Sequence, residues 1–130
     1  MHLIIDGYGA DPLRLQDFAF IYHFLDNCPA RIGMHKISHP HVIEYTDCPQ
    51  QDWGLSGFVF IAESHISVHT YPARGYVNID VFSCKPFDPD PVALELQREF
   101  GLERAETWVV DRGVYRANPA PAAAGREAPA

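Results

Sequence analysis

Between positions 56 and 84 the chain gathers the side chains that could do chemistry: Ser56, Glu63, Ser64, His65, Ser67, His69 and Cys84. A nucleophile beside an imidazole and a carboxylate supports covalent catalysis, with the imidazole moving the proton. Several reactions could use that grouping, and composition alone leaves the choice open. A second cluster, His35, His39 and His41, has the spacing HxxxHxH. It has no carboxylate or cysteine at a matching interval, so a polar turn is the better reading and no metal is expected. Cys28, Cys48 and Cys84 make an odd number of cysteines. The N-terminus, MHLIIDGYG, has neither the basic start nor the apolar length of a secretory leader. A disulfide framework is therefore not expected, and a reducing cytoplasm is.

These residues need elements to position them. His2–Ile5 reads as a strand stopped by Gly7 and Gly9. Asp11-Pro12 reads as a helix start, with Asp as N-cap and Pro in the first turn. Leu15, Phe18, Tyr22 and Leu25 then recur at helical spacing, and the helix should end before Pro29. Met34–Ile37 and Val42–Tyr45 read as strands around a Ser38–His41 turn, and Cys48–Gly54 as a loop. Phe58–Ala62, His65–Tyr71 and Tyr76–Phe82 have strand length and, in the last two, strand alternation. Asp90-Pro91 repeats the helix signal ahead of Val92, Leu96 and Phe100, with Gly101 as the stop. Thr107–Val110 is a last strand. Strands that follow one another without helices between them must pair antiparallel. The predicted fold class is α+β: a two-layer sandwich, mainly antiparallel sheet with helices packed on one face.

The chain has 130 residues, room for one domain, expected over residues 1–116. Residues 117–130 hold seven Ala and three Pro and read as a disordered tail. Ten basic against seventeen acidic residues give a net charge of −7. That balance speaks against nucleic acid and suits a cationic small molecule. No apolar run approaches the roughly 18 residues of a membrane span, so no membrane partner is expected.

The stretch FVFIAESHISVHTYPARGYVNIDVFSC, Phe58 to Cys84, resembles the prokaryotic S-adenosylmethionine decarboxylase proenzyme family. The resemblance rests on the ESH tripeptide, a strand ending in HTxP, and an aromatic-rich strand ending in Cys. Leu55-Ser56-Gly57 and the opening HLIIDGYG fit it too. It implies self-cleavage between Glu63 and Ser64, giving a β chain 1–63 and an α chain 64–130. Ser64 Oγ attacks the Glu63 carbonyl, an ester forms, and removal of the Ser64 α-proton expels the Glu63 carboxylate. Hydrolysis of the resulting dehydroalanine releases ammonia and leaves a pyruvoyl group. By the family pattern, Ser56 and His69 assist, His69 as proton acceptor. The pyruvoyl group, the only cofactor implied, forms a Schiff base with the substrate amine and acts as an electron sink, much as pyridoxal phosphate does. Cys84 takes the role of proton donor in catalysis. The resemblance further implies decarboxylation of S-adenosylmethionine for spermidine synthesis by a homodimer of processed protomers.

One position departs from the family. Thr70-Tyr71-Pro72-Ala73 stands where the family carries TWPE, whose Glu is associated with the ribose hydroxyls of the substrate. Ala73 cannot accept those hydrogen bonds. Arg31–Trp53 also differs from the usual family stretch. Two alternatives therefore stand beside S-adenosylmethionine. One is a free basic amino acid, arginine or ornithine, as substrate. The other is a non-catalytic paralogue.

Overall fold

Alternation along the strands decides which face of the sheet is covered. The computed structural model describes residues 1–112, and in it Leu3, Ile5, Val59, Ile61, Ile66, Val68, Val77, Ile79 and Val81 all point to one side and are buried. They come from β1 (His2–Tyr8), β3 (Gly54–Ile61), β4 (Ser64–Tyr71) and β5 (Tyr76–Ser83). With the edge strands β2 (His41–Tyr45) and β6 (Arg104–Val110), they form one six-stranded sheet ordered β2-β3-β4-β5-β1-β6. Every neighbouring pair is antiparallel. The first strand in sequence is thus wedged between β5 and β6.

Three helices cover the buried side: α1 (Pro12–Leu15), α2 (Phe18–Arg31) and α3 (Pro89–Phe100). Ile21, Phe24, Leu25 and Cys28 of α2 and Val92, Leu96 and Phe100 of α3 meet the sheet in a single core. Phe24 and Phe100 bridge the two helices edge-on, centroids 4.7 Å apart. The fold is the expected α+β two-layer sandwich, with the opposite face of the sheet left open.

Several details differ from the sequence reading, among them β1, which runs on through Gly7 to Tyr8, and β6, which begins at Arg104. Asp11 does cap a helix, but only a four-residue one. Asp17 then caps α2 by accepting from Phe20 N–H, so the apolar stripe restarts: Ile21 and Phe24 are buried while Phe18 is exposed. Pro29 lies inside α2, buried, two residues before the helix ends, and forgoes the bond that an N–H there would make to the preceding turn. Asp88-Pro89, the first of two such pairs, starts α3, its carboxylate accepting from Asp90 N–H. Met34–Ile37 makes only an isolated bridge, Lys36 to Ile61, because β2 takes over the edge of β3 from His41 onward. The predicted tail at 117–130 lies outside the described residues.

One buried hydroxyl ties the layers together. Thr70 Oγ1 accepts from Leu55 N–H (3.0 Å) and donates to the Leu15 carbonyl (2.7 Å), linking β3, β4 and α1. Beside it Gly54 is obligatory, since a Cβ there would lie 1.7 Å from the Thr70 carbonyl oxygen. Thr70→Val keeps the shape but leaves both backbone groups unpaired. It should cost about 2 kcal/mol, read by urea unfolding followed through the fluorescence of Trp53 and Trp108.

Candidate active site

The hairpin joining β3 to β4 carries the Glu63–Ser64 bond. Ile61 pairs with Ser64, so Ala62 and Glu63 form a two-residue link. Twisted hairpins favour links with positive φ. Neither residue has it; among the described residues only glycines do. The link is held from outside instead. Ala62 N–H donates to the His35 carbonyl (2.8 Å), and Cys84 N–H donates to the Glu63 carbonyl (2.7 Å). The Glu63 carboxylate turns inward and is only 4% exposed. Its Oε1 accepts from His35 N–H (3.1 Å) and its Oε2 meets His35 Nδ1 at 2.9 Å. Since an ionised carboxylate only accepts, Nδ1 is the donor. The bond from the His35 ring draws the Glu63 carboxyl below the usual carboxylate range, against the opposing pull of burial.

Ser64 opens β4 directly across from Ser83. Cys84 follows Ser83, so Glu63, Ser64 and Cys84 form one group at this end of the sheet. Ser56 and His69 form another. They face each other across β3 and β4, with Ser56 Oγ 2.8 Å from His69 Nδ1. His69 is five residues along β4 from Ser64, about 16 Å at the usual strand rise. Their separation is odd. Ser64 therefore shares its side with Ile66 and Val68, while His69 lies on the open face. A base must come within about 3 Å of the proton it removes. Within one chain, His69 does not reach residue 64.

The remaining histidines divide. His35 serves Glu63, a role that sequence gave no sign of, because the contact spans 28 positions. His41 packs beside Phe58, centroids 5.6 Å apart. No group of three or more metal-ligating side chains occurs among the described residues. His65 faces Phe82 in the middle of the open face. Burial pushes its imidazole down, with His2 and Arg112 adding and Asp80 opposing.

Two cavities open near the Ser56–His69 end. One, of about 430 Å³, is walled by Tyr8, Tyr71, Tyr76, Asp52 and Arg74. Its three tyrosines stand on the open face, Tyr71 two residues beyond His69, with Tyr8 and Tyr76 centroids 5.1 Å apart. Asn78, opposite His69, donates to Asp6 (2.8 Å) and to Tyr76 Oη (2.7 Å). The other, of about 400 Å³, includes Ala73, Glu44, Gln50, Trp53 and Leu55.

A sequence profile described as S-adenosylmethionine decarboxylase matches residues 1–113. The S-adenosylmethionine decarboxylase proenzyme of Shouchella clausii (strain KSM-K16) is 33% identical over 119 residues, covering 91% of this chain and 88% of the relative. The protein of the same name from Parasynechococcus marenigrum (strain WH8102) is 35% identical over 104 residues, covering 79% and 77%. That of Pyrococcus abyssi (strain GE5 / Orsay) is 31% identical over 115 residues, covering 87% and 78%. Among solved structures, the adenosylmethionine decarboxylase from Aquifex aeolicus VF5 superposes with a TM-score of 0.73 at 27% identity, over 86% of this chain and 88% of its own.

The three thiols differ in setting. Cys28 is 2% exposed, and burial, reinforced by Glu99, pushes its thiol up to about 12. Cys48 and Cys84 are half-buried. At pH 8 iodoacetamide should therefore spare Cys28 in the native protein and modify it only after urea unfolding. Peptide mapping that finds Cys28 labelled as fast as Cys48 would contradict this packing.

Proposed function

The chain belongs to the S-adenosylmethionine decarboxylase family, and on that premise we propose that it is a self-cleaving proenzyme whose mature form decarboxylates S-adenosylmethionine through a pyruvoyl group made from Ser64. One observation carries the reading: the Cys84 amide donates to the Glu63 carbonyl, 2.7 Å away, on the bond that Ser64 would attack. Attack by Ser64 Oγ puts negative charge on that carbonyl oxygen, where a fixed donor stabilises it most. The C–N bond then breaks, its nitrogen takes up a proton, and Glu63 is left as an ester on Ser64. Loss of the Ser64 α-proton to a base expels the Glu63 carboxylate, and water replaces the nitrogen as ammonia. The pyruvoyl group so formed supplies an electron sink for a substrate amine. Cys84, fixed beside position 64 by its backbone, is the proton donor.

The base comes from a second copy. Ser56 holds His69 by accepting from Nδ1–H, which leaves the Nε2 lone pair for the α-proton. That pair lies about 16 Å along β4 from its own Ser64. A two-fold axis lying across the strands, midway along β4, sets the partner's His69 opposite Ser64 and repeats the arrangement at the other end. The open face suits such packing. Ile43, Phe58, Phe60, Trp108 and Val110 are each 36–50% exposed there, an apolar patch of the kind that marks an interface.

The substrate is a cation. The tyrosine-walled cavity offers ring faces to a sulfonium, with Asp6 and Asp52 nearby. Glu44 lines the same cavity as Ala73, so a carboxylate stands in that neighbourhood although residue 73 supplies none.

Purified protein should run as two bands on a denaturing gel, with a blocked α chain beginning at residue 64. Ser64→Ala should stay whole and inactive, and Cys84→Ala should cleave yet release CO₂ at least tenfold more slowly. CO₂ release is compared for S-adenosylmethionine, arginine and ornithine, and the first should lead. Co-expressing Ser64→Ala with His69→Ala should restore cleavage of the Ser64-bearing copies, because each mixed dimer holds one complete site. No cleavage in the mixture, with each variant dimeric, would place the base in the same chain.

A further inference from the structure

We propose that His35 is a positioning residue for self-cleavage, holding Glu63 by its side chain so that the carbonyl of the breaking bond cannot turn away from Ser64. The proposal rests on the reading that the Glu63–Ser64 bond is the one that breaks. Glu63 stands in a two-residue link with no positive-φ residue, so the link does not enforce its own geometry. Its carboxylate is buried, and both oxygens are taken by His35: Oε1 by the backbone N–H at 3.1 Å, Oε2 by the ring at 2.9 Å. The His35 ring is itself 77% exposed. It contributes little to the core, so the contact with Glu63 is what the side chain does.

His35 can act as an anchor because its own segment is tied down. Its carbonyl accepts from Ala62 N–H (2.8 Å), and Ile37 N–H donates to the Phe60 carbonyl (3.0 Å). Ser38 Oγ accepts from Phe60 N–H at 3.0 Å, and Lys36 pairs with Asp26 on α2. Residues 35–38 therefore strap the end of β3, and Glu63 is the residue the strap grips. With Cys84 N–H on the carbonyl and His35 on the carboxylate, residue 63 is fixed on both sides of its Cα. In the acyl shift, the new bond joins Ser64 Oγ to the Glu63 carbonyl carbon as the C–N bond opens and the nitrogen gains a proton. The approach needs that carbon held in reach, and restricting its rotation removes an entropic part of the barrier.

Cleavage is followed by gel during cell-free synthesis of the full chain, with the cut site checked by mass. His35→Ala should lengthen the half-time by roughly ten- to a hundredfold, the loss of one charged hydrogen bond. His35→Asn, whose side-chain nitrogen replaces Nδ1 as a donor, should cleave within about threefold of wild type. His35→Asp has the same shape and no donor, and should be as slow as the Ala variant. The Asn and Asp pair decides the matter even if the Ala variant does not fold. Melting of each variant in the uncleavable Ser64→Ala background should change by no more than a few degrees. If wild type does not cut between 63 and 64, the reading of the family site fails. If wild type cuts there and the Asp variant keeps pace, or the Asn variant is as slow as Asp, the role of His35 is overturned.

Discussion

The link between β3 and β4 is two residues long and is held by its surroundings. A short hairpin of twisted strands is most at ease with left-handed residues at its tip, and Ala62-Glu63 provides none. What fixes it comes from both directions along the chain, His35 on one side and Cys84 on the other. Each support has its own foundation. The Cys84 segment is pinned because the Met1 ammonium donates to the Ser83 carbonyl (2.6 Å) and Ser83 N–H donates back to the Met1 carbonyl (2.9 Å). The His35 segment leaves α2 by a turn in which Met34 N–H donates to the Pro29 carbonyl (2.8 Å). The helices, the wedged first strand and the edge of the sheet thus all bear on the placement of one peptide bond.

The sheet also measures. A strand advances by about 3.3 Å per residue and changes sides at every step. Five steps from Ser64 to His69 put the two on different sides and well apart. Ser56, across the register, keeps the imidazole where it is. The same alternation sends Ile66, Val68 and Thr70 into the core and leaves His65, Ser67 and His69 facing outward among Phe58, Phe60 and Phe82. An outward face rich in aromatic rings and a histidine too far from its serine are two expressions of one geometry.

Much of this was legible in the sequence, and the reasons for the gaps are local. Alternation located β4 and β5, because a sheet covered on one side imposes a two-residue period, and apolar runs of strand length marked β1, β3 and β6. Gly101 marked the end of α3 because its φ of 61° is costly for other residues. The break after α1 was missed because Asp17 caps only when the chain has already turned, so the pattern from Leu15 onward looked continuous. Pro29 misled because a proline in the last turn costs one bond to the preceding turn without stopping the helix: Ile32 N–H still donates to the Cys28 carbonyl (3.1 Å). ESH, HT and the distant Cys pointed to the family, and the parity of positions 64 and 69 already contained the separation of Ser64 from His69. The grip of His35 on Glu63 had no local signature, since only the folded strap brings them together.

The order of strands has a consequence for the life of the molecule. The first sixty-three residues contribute β1, β2 and β3, and the remainder β4, β5 and β6. In the sheet these sets interleave: β4 and β5 lie between β3 and β1, and β6 lies beyond β1. If the chain is cut after residue 63, as proposed, three of the five seams would join separate polypeptides, and neither fragment could slip out without opening them. Folding before the cut is a first-order event. Reassembly after it is second order and depends on concentration. The proposed maturation would therefore work as a ratchet: the intact chain carries the instructions for interleaving, and a processed molecule that unfolded would no longer have them in one piece.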